Sequence, residues 1–367
     1  MDIETGEKHV RRIIVVVEPG YDPKAVADEK QAKAKHVYRA ALNGFSAELT
    51  DQQVAQYRVS KKVAYVEQDR VVTADATQAN ATWGLDRADQ RYRPLSTTYT
   101  YNRTGAGVRA YVIDTGIVTG HSNFGGRASN VYDAFGGNGN DCNGHGTHVA
   151  GTIGGATWGV AKAALLRGVR VLNCSGSGST SGIVAAIDWV RVNALRPAVA
   201  NMSLGGGFSS ALNTATANLA NSGIFTAVAA GNENQSACNV SPASTAAAYT
   251  TAASDRTDVR ASFSNFGSCI DGYAPGVGIT STWRNGGTNT ISGTSMASPH
   301  VAGVGALYKH AFGDQSSTTI EAWIRNNSTS NVISGNPTAH PEPAAVHERP
   351  LAPGRRGRVR PAAAALG

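Results

Sequence analysis

Three side chains that could share one acyl-transfer reaction lie in separate glycine-rich stretches of the chain. Asp114 ends an apolar run and precedes Thr-Gly, His145 lies between two glycines, and Ser295 begins an apolar run of helical character. A serine hydroxyl becomes a nucleophile when an imidazole takes its proton and a carboxylate orients that imidazole. Asp114 alone would be a turn residue or a cap, and Ser295 alone a helix N-cap, but the combination favours nucleophilic catalysis.

A fourth residue, Asn232, supplies the remaining part of such a site. It follows Gly231 at the end of an apolar run, where an asparagine is either a turn residue or a donor that points its amide N–H at an oxyanion. The position of Ser295 at a helix start adds unpaired backbone N–H groups and the positive end of the helix dipole. We therefore expect a cleft that stabilises negative charge on a carbonyl oxygen.

A zinc site is the competing interpretation of the histidine stretch, because Cys142, His145 and His148 have ligand-like spacing. His148, however, opens an apolar helical run and is more typical of a core histidine, and Cys174 is available to Cys142 as a disulfide partner. An even number of cysteines in a segment of low charge suits two disulfides and an oxidising compartment, with four buried free thiols as the alternative. The four are Cys142, Cys174, Cys238 and Cys269.

The chain as a whole is mildly basic. Its 367 residues include 33 Lys and Arg against 26 Asp and Glu, a net charge of +7 that is spread along the sequence. No basic face is formed, so nucleic-acid binding is not expected. No apolar run approaches the roughly 18 residues of a membrane span, so no membrane is expected as a partner. The N-terminal stretch lacks the apolar core of a secretory signal, which indicates a cytosolic protein or an export signal absent from this version of the chain.

The elements that must position these residues fall into two regions of different composition. Residues 1–75 are densely charged and predict the order β-α-β-α-β of a small ferredoxin-like α+β domain, with Thr50 as the N-cap of its second helix. Residues 73–82 are small and polar, so we expect an exposed linker there. In the first region the predicted strands cover 11–18, 41–49 and 62–72, and the predicted helices 22–38 and 50–59.

Residues 83–336 carry few charges and alternate short apolar strands with helical stretches. This alternation predicts an α/β fold, in which helices cover both faces of a mostly parallel sheet. Sites in such sheets lie at the carboxyl ends of the strands. The predicted strands are 108–114, 165–172, 197–204 and 224–230, and the predicted helices 146–155, 179–194, 209–222 and 295–312.

Five motifs resemble those of subtilisin-type serine peptidases of the proteinase K branch. They are VIDTGI, NGHGTHVAGTIGG, NMSLGGG, AAGNEN and SGTSMASPHVAG, and the stretch WGLDRADQR with the cysteine positions resembles aqualysin-like secreted members. The resemblance covers about residues 76–336 and implies a three-layer subtilisin-like catalytic domain. Residues 1–75 resemble the inhibitory propeptide of the same family.

The resemblance implies a secreted serine endopeptidase that acts on protein and peptide substrates as a monomer. It would be made as a self-processing zymogen, inhibited by its own propeptide until cleavage near Asp75–Ala76, and would need no catalytic cofactor. The implied roles are nucleophile for Ser295, general base and acid for His145, orienting carboxylate for Asp114, and oxyanion donors for Asn232 and the Ser295 N–H.

Further residues are implied by the same resemblance. Two glycine-rich segments would bind the substrate as an added β-strand, and a third would complete a primary pocket whose small, uncharged walls imply a broad preference for apolar or aromatic residues. Cys142 would pair with Cys174 and Cys238 with Cys269. Structural calcium would bind Asp271 and the carbonyl oxygens of Ala246 and Ala248. The implied substrate-binding residues are Gly176, Ser177, Gly178, Ser203, Leu204, Gly205, Gly206, Ala229, Ala230 and Gly231.

The chain departs from the family pattern at three places. Arg167 lies in a predicted core strand, and residues 250–254 form a more polar strand than the family has; either change would lower stability if a polar group were buried without a partner. The packed Pro-Asn-Arg-Leu-Leu ending of the family is missing. Because codons for residues 341–346 can encode that ending one nucleotide out of frame, we interpret the tail 337–367 as disordered and as frameshifted from about residue 339.

A catalytically silent binding protein and an esterase are the competing function classes. Loss of the serine, histidine, aspartate or oxyanion asparagine would mark the first class, and all four residues are present. An acyl-enzyme also permits ester cleavage, but the two glycine-rich substrate segments favour an extended peptide. We therefore expect a peptidase.

Overall fold

The computed structural model describes residues 10–69 and 75–337, and the chain divides into two compact units, residues 1–74 and 75–367. The elements of the first unit are β1 Val10–Val17, α1 Pro23–Glu29, β2 Ala34–Tyr38, β3 Gly44–Thr50, α2 Asp51–Arg58 and β4 Val63–Gln68. Its strands form an antiparallel sheet in the order β2-β3-β1-β4. The Thr50 hydroxyl caps α2 as predicted, accepting a backbone N–H at 3.2 Å.

The predicted helix over residues 22–38 is wrong in its second half. Helix α1 ends at Glu29, and the segment from Ala34 to Tyr38 forms β2, which pairs with β3. Between the two, Gln31 adopts a left-handed backbone conformation with φ 56°, which interrupts the helix. Pairing within the sheet overrides the helical composition of this stretch, and the resulting order is β-α-β-β-α-β.

The second unit contains thirteen strands and six helices among its described residues, together with two 3₁₀ turns at Ser122–Phe124 and Ala237–Asn239. In chain order its strands and helices are β5 Ala76–Ala79, α3 Trp83–Asp89, β6 Thr98–Tyr101, β7 Arg109–Asp114, β8 Ala128–Asp133, α4 His145–Gly154, β9 Leu165–Arg170, α5 Thr180–Asn193, β10 Ala198–Met202, β11 Gly206–Gly207, α6 Ser210–Asn221, β12 Phe225–Ala229, β13 Val240–Ser241, β14 Tyr249–Ser254, β15 Gly272–Pro275, β16 Ile279–Thr282, β17 Thr288–Ile291, α7 Thr294–Phe312 and α8 Ser317–Asn327. The four strands and four helices predicted for this region are all present.

Seven of these strands form one sheet in the order β15-β14-β12-β10-β7-β9-β8, and every neighbouring pair is parallel. Alternate side chains of a strand face opposite sides of the sheet. Val112 of β7 belongs to the core formed with α4 and α7, whereas Ile113 belongs to the core formed with α5 and α6. The predicted α/β architecture, with helices on both faces of a parallel sheet, is confirmed.

Three two-stranded antiparallel ribbons, β5–β6, β11–β13 and β16–β17, complete the unit. Residues 76–79, expected in a linker, are largely exposed but form β5 against β6, with the Thr77 and Thr100 hydroxyl oxygens 3.2 Å apart. The start of the expected linker, residues 73–74, and the interpreted tail from residue 338 onward lie outside the described residues. Within the described part of the chain, no helix combines the length and apolarity needed to cross a membrane.

The two polar departures from the family pattern, at Arg167 and at residues 250–254, are mostly satisfied by hydrogen bonds in the sheet. Arg167 of β9 is half-buried, and its guanidinium donates to two backbone carbonyl oxygens at 3.1 and 2.9 Å, so it is not an unpaired buried charge. In β14 the buried hydroxyls of Thr250 and Ser254 also donate to backbone carbonyls, at 2.7 and 3.3 Å. The Thr251 hydroxyl is buried and has no hydrogen-bond partner within the described ranges. The expected destabilisation is therefore limited to one hydroxyl.

Candidate active site

The carboxylate of Asp114 and the imidazole of His145 form one hydrogen-bonded pair. Asp114 is the last residue of β7 and is fully buried, and His145 is the first residue of α4. The Nδ1–H of His145 donates to Oδ1 and Oδ2 of Asp114 at 2.8 and 3.0 Å, and the backbone N–H of Thr115 holds Oδ1 at 2.7 Å. This arrangement leaves Nε2 of the imidazole available to exchange a proton.

The turn before α4 sets the direction of the imidazole. Gly144 caps the helix with φ 113°, a left-handed conformation, and a Cβ atom there would lie 2.7 Å from the Trp283 ring. Burial lowers the pKa of His145, but the charge of Asp114, its hydrogen bond and the charge of Asp141 together raise that pKa above the ordinary value. The site therefore favours the protonated imidazole that forms when His145 takes a proton.

Asp141 organises this turn from within the protein. Its carboxylate is 3% exposed and accepts five hydrogen bonds. Oδ1 accepts from the Thr115 hydroxyl at 2.8 Å and from the N–H groups of Asn143 and Gly144 at 2.9 and 2.8 Å. Oδ2 accepts from the N–H and hydroxyl of Thr147 at 2.9 and 2.6 Å. Asp141 thus connects the residue after Asp114 to the first turn of α4.

Ser295 lies in the first turn of α7, where backbone N–H groups have no partner within the helix. Its hydroxyl donates to the backbone carbonyl of Ser203 at 3.2 Å, and among the described residues no hydrogen bond joins it to His145. The Ser203 hydroxyl in turn donates to the Ser295 carbonyl at 2.8 Å. Ser295 and His145 line two neighbouring cavities that share Leu204 and Gly205. Hydrogen bonds between reacting groups are often absent or long before substrate binds.

The side chain of Asn232 is oriented by Thr294, the residue before Ser295. The Asn232 oxygen accepts the N–H of Thr294 at 2.8 Å and its hydroxyl at 3.0 Å. Because the oxygen is occupied, the amide NH₂ group is the part that can donate elsewhere. Asn232 is exposed and lines the same cavity as Ser295, so this donor is available to a ligand.

The cavity beside Ser295 has a volume of about 320 Å³. Gly206, Ala229 and Gly231 line it as the resemblance implies, but Ala230 does not, because its side chain is fully buried among apolar neighbours behind the wall. Glu233 also lines the cavity, and its carboxylate accepts the Asn265 amide at 2.9 Å. The expectation of uncharged walls is therefore wrong for this cavity. The AAGNEN motif contains Glu233, but only the fold shows which way its side chain points.

A second cavity of about 380 Å³ extends the cleft on the His145 side. Its lining includes segments from two loops that flank the cleft, so an extended chain could lie between them. Together the two cavities contain nine of the ten implied substrate-binding residues. Those in the second cavity are Gly176, Ser177, Gly178, Ser203, Leu204 and Gly205.

The cysteines form two disulfides, Cys142–Cys174 and Cys238–Cys269, and none is free. The pairing is the one that the resemblance implies, and the alternative of four free thiols is wrong. The zinc interpretation is also wrong, because Cys142 is in a disulfide and His148 is a buried histidine whose Nε2 contacts the Ile279 carbonyl at 3.0 Å. Burial lowers the pKa of His148 to about 4, as expected for a neutral core histidine.

The implied calcium ligands are arranged differently from a cation site. Oδ2 of Asp271 accepts the Thr250 N–H at 2.8 Å, and Oδ1 contacts the guanidinium of Arg325 at 2.6 Å. Both carboxylate oxygens are therefore occupied, one of them by a positive charge. Ala246 is exposed and Ala248 is buried. The residues present at Asp271 do not fit a calcium ion unless Arg325 moves away.

The sequence analysis did not single out two carboxylates on α3, Asp86 and Asp89; both oxygens of Asp86 accept hydrogen bonds from Ser96 and Thr97. Oδ2 of Asp89 accepts the Thr100 N–H at 2.5 Å, but its Oδ1 is buried and has no hydrogen-bond partner among the residues that the structure describes. Burial, with a smaller contribution from the charge of Asp86, raises the pKa of Asp89 to about 6. Across the described ranges 10–69 and 75–337, no group of three or more His, Cys, Asp or Glu side chains is placed to hold a metal. The Asp-x-x-Asp spacing of Asp86 and Asp89 is the sequence feature that could have indicated this pair.

Known protein families match both units of the chain. The model of the subtilase family matches residues 105–344, and the model of the peptidase inhibitor I9 family matches residues 7–75. The chain is 54% identical over 306 residues to an extracellular serine proteinase of Thermus sp. (strain Rt41A), covering 82% of this chain and 75% of the relative.

Two further similarities extend the comparison. The chain is 53% identical over 300 residues to the alkaline serine exoprotease A of Vibrio alginolyticus, covering 80% of this chain and 56% of that protein. A crystal structure of a cold-adapted subtilisin-like serine proteinase superimposes with a TM-score of 0.72 at 49% identity, covering 73% of this chain and 98% of that one.

Proposed function

This chain belongs to the subtilase family, and we propose that it is a secreted serine endopeptidase that is made as a zymogen and cleaves peptide bonds through an acyl-enzyme. The observation that carries the proposal is the Asp114–His145 hydrogen bond at the mouth of a cleft that also holds Ser295 and Asn232. Secretion is supported by the two disulfides, which persist in oxidising compartments, and by the extracellular relative from Thermus.

In the proposed reaction, Oγ of Ser295 attacks the scissile carbonyl carbon while Nε2 of His145 takes the hydroxyl proton. Asp114 stays ionised, holds Nδ1–H and stabilises the imidazolium. The tetrahedral intermediate expels the amine, which receives the proton from His145. Water then attacks the acyl-enzyme with His145 again acting as base, and the acid product leaves with Ser295 regenerated.

The oxyanion of each tetrahedral intermediate is held by Asn232 and by the backbone N–H of Ser295. Two features support this role: the fixed orientation of the Asn232 amide by Thr294, and the position of Ser295 at the positive end of α7. Donors that are already oriented need little reorganisation when charge develops, which is why they lower the barrier.

The substrate binds as an extended strand between the Gly176–Gly178 and Ser203–Gly205 segments, with one side chain in the 320 Å³ cavity. The small residues Gly206, Ala229 and Gly231 leave room for a large apolar or aromatic side chain. Glu233 adds a negative charge to the lining, so the broad apolar preference extends to basic side chains and disfavours acidic ones.

The first unit acts as an intramolecular inhibitor and is released by cleavage near Asp75–Ala76. The match of residues 7–75 to the peptidase inhibitor I9 family supports this part of the proposal. The segment that joins the two units includes residues 70–74, which lie outside the described part of the chain.

Calcium has a structural role in the proposal and takes no part in the chemistry. Calcium prefers several oxygen ligands, and the unpartnered Oδ1 of Asp89 near Asp86 supplies a carboxylate of this kind. The carboxylate of Asp271 does not fit a calcium ion while the guanidinium of Arg325 is paired with it. If calcium binds on α3, Asp89→Asn should remove most of the rise in melting temperature that calcium produces; an unchanged rise would contradict this assignment.

The direct test of the proposed function is hydrolysis of a chromogenic peptide with an aromatic residue before the reporter group. Processed protein should release the reporter, and a serine-directed inhibitor should abolish the release. Hydrolysis that resists the inhibitor, or no hydrolysis by processed protein, would overturn the proposal. A matched ester substrate distinguishes the esterase alternative, which predicts turnover of the ester alone.

A further inference from the structure

The carboxylate of Asp271 lies against the guanidinium of Arg325, on helix α8. Nη2 of Arg325 is 2.6 Å from Oδ1 of Asp271, the short distance of a charge-assisted hydrogen bond. The Asp271 side chain is 18% exposed, so its charge is poorly solvated by water. The two residues are 54 positions apart in the sequence, and the fold alone brings them together.

A second carboxylate reaches the same nitrogen atom. Glu321, one turn before Arg325 on α8, has its Oε2 3.9 Å from that Nη2 atom, and its Oε1 accepts the Ser317 hydroxyl at 3.2 Å. Its side chain is 8% exposed. Burial, followed by the charge of Asp271, raises the pKa of Glu321 to about 7. A positive charge beside two carboxylates that repel each other in a shielded place stabilises their ionised forms.

We propose that Arg325 is a built-in cation that occupies the position of a divalent ion between Asp271 and Glu321, so that this site does not respond to calcium. Nη2 of Arg325 is hydrogen-bonded to Asp271 at 2.6 Å and lies 3.9 Å from Glu321, so its positive charge acts on both carboxylates from one position. Without the guanidinium, Oδ1 of Asp271 and Oε2 of Glu321 are two carboxylate oxygens of the kind that calcium prefers.

The alternative is that calcium displaces Arg325, whose side chain is 51% exposed and free to turn into solvent. The two cases differ in what Asp271 does in the unmodified chain. If Arg325 is the cation, Asp271 makes no contribution to calcium binding until the guanidinium is removed. If calcium displaces Arg325, Asp271 contributes in the presence of Arg325.

The test is the rise in melting temperature on adding excess calcium chloride, relative to excess chelator, for the full chain carrying Ser295→Ala. That background prevents autolysis and makes the result independent of the proposed function. The variants added to it are Asp271→Asn, Arg325→Ala and the double variant. Arg325→Lys, which retains a positive charge, is the matched control, and Arg325→Gln repeats the test if Arg325→Ala folds poorly.

We expect Asp271→Asn and Arg325→Lys to leave the calcium-dependent rise of the background unchanged. Arg325→Ala should add about 5–10 °C when calcium exceeds its dissociation constant roughly 100-fold, and Asp271→Asn should remove that gain in the double variant. A smaller rise for Asp271→Asn alone would show that calcium displaces Arg325. No gain for either Arg325→Ala or Arg325→Gln would show that Arg325 replaces no ion. Either result overturns the proposal.

Discussion

The side-chain oxygen of Asn232 accepts two hydrogen bonds from Thr294, one from its N–H at 2.8 Å and one from its hydroxyl at 3.0 Å. Thr294 immediately precedes Ser295, so the same residue fixes the amide of the proposed oxyanion donor and lies in the first turn of α7. The direction of the Asn232 NH₂ group is therefore set before any substrate binds, and the site is preorganised for a negative oxygen.

Asn232→Ala should reduce kcat by about 10²–10³-fold with little change in KM, the range established for loss of the corresponding single donor in subtilisin. Steady-state kinetics on a chromogenic peptide measure both constants. Thr294→Val is the comparison: it removes one of the two hydrogen bonds that orient Asn232 and the acceptor of the Gly231 N–H but keeps the Asn232 amide, so its loss of kcat should be smaller. An equal loss for both variants, or a change confined to KM, would argue against an oxyanion role for Asn232.

The rate should fall at acidic pH as His145 becomes protonated, because only the neutral imidazole can take the Ser295 proton. Burial alone would lower the pKa of His145, but the charge and hydrogen bond of Asp114 and the charge of Asp141 raise it overall. The midpoint of the acidic limb of kcat/KM should therefore lie above the ordinary histidine value of about 6.5. A midpoint below that value would contradict the electrostatic description of the site.

Asp141→Asn tests the residue as a positioning group for His145. Loss of its charge should move the acidic limb to lower pH, and loss of its acceptors at Thr147 should reduce kcat by about 10–100-fold through displacement of the imidazole. Thr115→Val removes a hydrogen bond to Asp141 but no charge, so it should reduce kcat without moving the limb. If the midpoint of the acidic limb of kcat/KM is unchanged in Asp141→Asn, Asp141 has a structural role only.

Glu233 should determine the preference of the cavity beside Ser295 for charged substrate side chains. Glu233→Gln should reduce cleavage after lysine and increase cleavage after glutamate by up to about fivefold each, since the carboxylate is exposed and its charge is screened. Cleavage after phenylalanine serves as the internal control and should change little. Equal effects on all three peptides would show that Glu233 acts on the shape of the pocket rather than through its charge.

Ser295→Ala should leave a single full-length species on a denaturing gel, because the proposed cleavage near Asp75–Ala76 is self-cleavage. The parent protein should give two bands, corresponding to the released first unit and the second unit. His145→Ala is expected to behave like Ser295→Ala. Spontaneous processing of purified Ser295→Ala would show that another peptidase makes this cut.

The parts of the fold and site that could be predicted are those written in continuous stretches of sequence. Asp114, His145, Asn232 and Ser295 each lie at or just after a strand end or helix start inside a short glycine-rich motif, so local pattern is sufficient to propose them as site residues. The parallel sheet was predictable for the same reason, since its strands are continuous apolar runs.

The features that were missed depend on contacts between distant residues. The strand β2 has a helical composition and becomes a strand only because β3 lies beside it. Ala230 and Glu233 are close in sequence, but burial of the first and orientation of the second decide which of them lines the pocket. The pairing of Asp271 with Arg325 could not be predicted because no local pattern connects α8 to the residue before β15.

The central claim, that Ser295 is the nucleophile of a peptidase, is tested most directly by covalent labelling. Processed protein is treated with a phosphonylating serine inhibitor, and the labelled peptide is identified by mass spectrometry alongside the residual hydrolysis of a chromogenic peptide. One label per chain is expected, located on Ser295, with hydrolysis lost in proportion to labelling. Full labelling of Ser295 with hydrolysis retained, or a label on another residue that abolishes hydrolysis, would contradict it.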